Sequence, residues 1–174
     1  MMCRHTLRGE TRMESMKVRD IAGDEITIYA VKWPEQLGGA YHITHILPPD
    51  RWYGLDYRSV ARSTDLETAV KESLWSWNHN HPKMFDLQIP MKQAKIMAAV
   101  RRLFEPGTQG TKKRYSSYYL KHVIEHEIGE YVGNGEAKGA MLQAGFPLAK
   151  GDDALMLNCD FILKRLSSRK VYVE

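Results

Sequence analysis

Residues 115–147 read YSSYYLKHVIEHEIGEYVGNGEAKGAMLQAGFP, and this stretch decides the fold class of the C-terminal half. Leu120, Val123, Ile124 and Ile128 recur at helical spacing and form one apolar stripe. Ser116 or Ser117 offers a hydroxyl to the first amides of that helix, which have no partner inside it. Gly129 offers a stop, because glycine alone takes positive φ without steric penalty. Asn134 is placed to cap a second helix over 136–144, which Gly145 and Pro147 end. The stretch thus predicts a helix-turn-helix-like pair.

It also holds HVIEH at positions 122–126. His122 and His126 lie one turn apart, so they can share a Zn²⁺ with Glu125 beside them as base, the pattern of inverted zinc peptidases. On a helical wheel all three point away from the apolar stripe. That chemistry needs a third ligand downstream, and Glu127, Glu130 and Glu136 offer no marked arrangement. The expectation is therefore no catalytic residue and no metal or other cofactor. A small zinc-dependent hydrolase using His122, Glu125 and His126 stands as an alternative.

The second helix has small residues, Ala137, Gly139, Ala140 and Ala144, which let helices approach closely. Its side chains able to read bases are few: Glu136, Lys138 and Gln143. The connection expected over 129–135 is also longer than that of a DNA-reading motif, so sequence-specific major-groove readout is not expected.

Just upstream, GTQGTKKRYSSYY at 107–119 places Lys112, Lys113 and Arg114 before Tyr115, Tyr118 and Tyr119. Three cations followed by aromatics suit a polyanion, since ammonium and guanidinium meet phosphates and rings stack on bases. The predicted nucleic-acid contacts are Lys112, Lys113, Arg114, Tyr115, Tyr118 and Lys138. Residues 106–114 also read as a basic, glycine-bearing linker between two halves.

In the N-terminal half, EITIYAVKW at 25–33 and AYHITHIL at 40–47 read as paired strands across a Gly-Gly turn. Residues 52–59 form a third, short edge strand or an aromatic loop. Thr64-Asp65-Leu66-Glu67 has the form of a capping box. The helix that follows carries Leu66, Ala69, Val70, Leu74 and Trp77 on one face, and the NHNHP of 78–82 breaks it. A further helix opens at Pro90, with Ile96, Met97, Val100, Leu103 and Phe104 as its stripe and Lys92, Lys95 and Arg102 as a solvated basic face. His42 and His45 straddle Thr44, but the chain has no second His-x-Thr to complete a two-histidine phosphoesterase. His79 and His81 mark a polar loop and lack a third metal ligand. Residues 155–166 form a short helix or extended piece followed by a second basic patch, and 171–173 a last strand returning to the N-terminal sheet.

The chain has 174 residues, 43% hydrophobic and 26% charged, with a formal charge of +4, an ordinary globular balance that permits acidic partners without requiring them. Cys3 and Cys159 make no disulfide framework, and Cys159, among apolar neighbours, reads as a buried free thiol. No apolar run approaches the ~20 residues that span a bilayer. The N-terminal residues lack the apolar core of a secretion signal, so the expectation is a cytoplasmic protein with no membrane partner. Residues 1–16 read as a flexible basic arm, within which Met13 and Met16 are alternative starts.

The pattern SSYYLKHVIEHEIGEYVGNGEAKGAMLQAGF resembles segments of small, mostly uncharacterised proteins encoded by bacteriophages and mobile elements. The resemblance covers 115–147 and implies an accessory role, as a DNA-binding protein or an inhibitor of host defence. The chain is thus expected to be α+β. A small antiparallel β-sheet with a packed helix over 17–105 precedes a helical C-terminal half over 115–174. The expected function is non-catalytic binding of nucleic acid or a nucleoprotein complex, with a host protein as the alternative partner.

Overall fold

The computed structural model describes residues 13–47, 62–111 and 113–166. The expected strand at 52–59, Lys112 and the strand at 171–173 lie outside them. The protein is α+β, and its chain divides into two compact units between Ser76 and Trp77.

The first unit is a four-stranded antiparallel sheet in the order β1-β2-β3-β4, followed by helix α1 (Leu66–Asn80). The strands are β1 (Met13–Arg19), β2 (Glu25–Lys32), β3 (Tyr41–Leu47) and the two-residue β4 (Arg62–Ser63). Residues 13–16, assigned to the basic arm by sequence, belong to β1, which pairs with β2 from Met13↔Val31 to Arg19↔Glu25. Strand alternation sorts the residues by face. Ile26, Ile28, Ala30, Ile43 and Ile46 are buried, while Thr27, Tyr29, Val31 and His42 are half-buried. Asp65, rather than Thr64, caps α1, its carboxylate accepting from the Thr68 amide at 2.8 Å. Ala69 and Val70 are buried on that helix, which continues through His79 instead of breaking at Asn78.

The second unit holds α2 (Pro90–Leu103), β5 (Phe104–Pro106), β6 (Arg114–Ser116), α3 (Ser117–Ile128), α4 (Asn134–Gln143) and β7 (Asp160–Leu166). Its strands form a three-stranded antiparallel sheet with β7 between β5 and β6. The C-terminal half is therefore mixed rather than helical, and residues 106–114 connect two strands of one sheet instead of linking two domains. The core gathers Ile96, Val100 and Leu103 of α2, Leu120, Val123 and Ile124 of α3, Met141 of α4 and Phe161 of β7.

Ser116 caps α3 by accepting from the Tyr119 amide, and Gly129 closes it at φ 68°. Asn134 is not the cap of α4 but its first residue. Its buried amide donates to Leu157 O at 2.6 Å and to Asn80 Oδ1 at 3.1 Å, so it ties three segments together. Helix α4 lies hard against the chain before α2. A Cβ on Gly135 would stand 2.4 Å from His81 O, and one on Gly139 2.3 Å from Pro82 O. Only glycine admits this approach, one helical turn apart at each position. The end of α4 is closed by Phe146 N donating to Met141 O and Gly145 N to Leu142 O.

Candidate nucleic-acid interface

Strand β6 turns directly into α3, so Lys113, Arg114, Tyr115 and Tyr118 lie around one helix start. Lys113 and Arg114 are exposed, and neither side chain makes an ion pair among the described residues. The Tyr118 ring, one residue into α3, is 54% exposed, with the His122 ring edge-on at 4.7 Å. Tyr131, in the connection after α3, is 67% exposed and was not singled out by sequence. Lys121 joins the two rings: its Nζ lies 5.6 Å from the Tyr118 centroid and 4.9 Å from that of Tyr131. Such cation–π contacts hold both rings beside one buried ammonium. No local signal in the sequence foretells this, because the connection must fold back before Tyr131 can approach Lys121.

Two predicted contacts fall away from the interface. Tyr115 stacks on Tyr119 at 5.9 Å and packs against the core, so its faces are largely spent within the protein. Lys138 is fully buried and cannot reach a phosphate. Its Nζ donates to Ala154 O at 2.9 Å and Met156 O at 2.8 Å, pinning the loop that precedes β7. Burial pulls its pKa down to about 8. The neighbouring Cys159 is a buried free thiol, pushed up to about 11 by burial. Helix α4 as a whole is buried on seven of its ten residues, which removes it as a groove-reading element.

The HVIEH cluster is a brace. Glu125 accepts from the Val132 amide at 3.1 Å, from Lys121 Nζ at 3.3 Å and from His122 Nδ1 at 2.6 Å. Burial acts to raise its carboxyl pKa, but the Val132 amide, Lys121 and His122 outweigh that and hold it below the ordinary range. His126 is exposed. Among the described residues, no group of three or more His, Cys, Asp and Glu is placed to hold a metal ion. Three further histidines also have local contacts. His42 stacks on Trp33 at 4.2 Å, His45 stacks on Tyr29 at 4.3 Å, and His81 Nδ1 accepts from the Lys83 amide.

The remaining charges near α3 are largely matched. Lys95 pairs with Glu130, Arg102 with Glu127, and Lys92 with Glu136 at 2.8 Å. The face of α2 expected to be a solvated basic surface is thus neutralised by carboxylates of α3, α4 and the connection between them. Lys164 of the second basic patch pairs with Glu105 at 2.7 Å. Among the described residues, no helix is long and apolar enough to cross a membrane. No protein-family model, curated protein or solved structure matches the chain.

Proposed function

We propose that the protein is a non-catalytic nucleic-acid-binding protein of the accessory type encoded by phages and mobile elements, and that it binds through the start of α3. The observation that supports this reading most is the pair of exposed rings, Tyr118 and Tyr131, that share the Lys121 ammonium, with Tyr118 only a few residues after the exposed Lys113 and Arg114, which make no ion pair among the described residues. Exposed rings on a cationic edge suit a single strand, whose unpaired bases present π faces while its phosphates meet the cations. A nucleoprotein complex of a host defence system offers the same groups, so the reading covers both roles implied by the resemblance of 115–147.

The test is fluorescence anisotropy with a labelled oligothymidylate of about 12 nucleotides, titrated across roughly 25–200 mM salt. Changing Lys112, Lys113 and Arg114 together to Ala is expected to flatten the log–log salt slope by about 2, each lost phosphate contact removing ~0.7. Tyr118→Ala is expected to weaken binding by roughly 1–3 kcal/mol with the slope unchanged, because stacking releases no counterions. A wild-type protein indifferent to the oligonucleotide at the lowest salt overturns the reading.

A further inference from the structure

The two carboxylate oxygens of Glu125 have different partners. Oε1 accepts from the Val132 amide at 3.1 Å and from Lys121 Nζ at 3.3 Å, which holds the connection after α3 against the helix. Oε2 faces His122 Nδ1 at 2.6 Å. The Glu125 carboxyl is held below the ordinary carboxylate range, so it is ionised and can only accept. In a neutral His122 the single ring proton therefore sits on Nδ1, and the carboxylate fixes the tautomer. The two ring nitrogens point to nearly opposite sides of an imidazole. With Nδ1 turned to the half-buried Glu125 and the His122 side chain 30% exposed, Nε2 is left as an acceptor. Among the described residues, no group bonds it.

Tyr118, one turn earlier on α3, is the exposed ring beside this imidazole. The two centroids lie 4.7 Å apart and the ring planes cross at 84°. A base stacked flat on Tyr118 cannot also stack on His122, so what it presents to the imidazole is its edge. Every base offers a π face, whereas the edges differ in their donors and acceptors. A lone acceptor pairs with the exocyclic amino group of cytosine, adenine or guanine. In uracil and thymine it meets an N–H flanked by two carbonyls, whose oxygens repel it.

We propose that His122 is the specificity-determining residue of this surface, its Nε2 selecting bases that carry an exocyclic amino group, with Glu125 as the positioning residue that sets the tautomer. Resting on the proposed stacking of bases against Tyr118, this role gives the surface a preference that stacking alone lacks.

The probes are oligodeoxycytidylate and oligodeoxyuridylate of about 12 nucleotides, whose bases match in size and differ only along the edge. Anisotropy is read at low salt and about pH 8, above the ordinary imidazole range. The wild type is expected to bind the cytidylate about fivefold tighter, the yield of one net hydrogen bond. His122→Phe keeps a ring beside Tyr118 without the acceptor and is expected to bring the two affinities together. Glu125→Gln is the sharper variant. Its oxygen still serves Val132 and Lys121, while its N–H₂ replaces Oε2 and donates to Nδ1. The imidazole proton then moves to Nε2, and the preference is expected to reverse in favour of uracil O4. A merely structural role for the pair moves both affinities alike. Equal binding of the two probes by the wild type overturns the proposal and leaves the stacking reading standing; binding of neither at the lowest salt overturns both. A cytidylate preference unchanged in His122→Phe assigns the selection to another residue and overturns the proposal too, and this variant decides alone if Glu125→Gln does not fold.

Discussion

Two regions of the second unit carry clustered cations, and the fold treats them in opposite ways. Along α2, Lys92, Lys95 and Arg102 each meet a carboxylate, from Glu136, Glu130 and Glu127. At the entry to α3, Lys113 and Arg114 meet none among the described residues. Both stretches are cationic by sequence, 112–114 more densely so than 92–102. What differs is whether the following helices return acidic residues to the same place. A basic stripe is available to a polyanion only where the fold leaves it uncompensated, so charge read along a sequence overstates the binding surface.

The sharpest way to break this contrast is to remove a cation that the fold has used. Glu136 is almost wholly buried, and Lys92→Ala leaves its carboxylate uncompensated. The expected loss is about 3 kcal/mol in urea unfolding, since one partner stripped from a buried pair exposes the full desolvation cost. Pairing Lys92→Met with Glu136→Gln is expected to recover most of it. A loss below ~0.5 kcal/mol for Lys92→Ala would put this pair among ordinary surface ion pairs.

Lys138 takes the contrast to its limit, as a cation enclosed completely. Its pKa is about 8 folded against 10.5 unfolded, so between these values the unfolded chain keeps a proton that the folded chain has shed. Stability should therefore rise as pH increases through that window. Cys159, at about 11 folded against 9.0 unfolded, acts oppositely between pH 9 and 11, where the unfolded chain sheds first. The expected result is a rise of ~1 kcal/mol from pH 8 to 9, then a plateau. Lys138→Met should erase the rise, and Cys159→Ala should let it continue above pH 9. Urea midpoints at fixed m-value measure both.

The smallest effect lies with the exposed cations before α3. Lys113→Ala with Arg114→Ala is expected to change stability by less than ~0.5 kcal/mol, since no ion pair among the described residues is lost. A thermal melt shifted as far as that of Lys92→Ala would show that the edge is structural and not reserved for a ligand.

Local chemistry made much of the fold legible. The apolar spacing and caps of α3, the proline start of α2 and the alternation of β2 and β3 are encoded within a few residues of where they act. Cys159 reads as a buried thiol from its immediate neighbours for the same reason. The sheet of the second unit could not be read this way: β5 and β6 have three residues each, too short for a period to register, and they become strands only because β7 pairs with both.

The candidate interface divides along the same line. Lys113, Arg114 and Tyr118 stand out from residue type and order alone. That Tyr131 belongs beside Tyr118, that Tyr115 turns to the core and that Lys138 is sealed behind two carbonyls depend on where distant backbone comes to rest. The sequence by itself determined which segments form the principal helices and the β2–β3 pair, because propensity, capping and periodicity are short-range. Only the tertiary structure decided which cations face solvent and which rings remain open, because burial and charge compensation are set by residues far away along the chain.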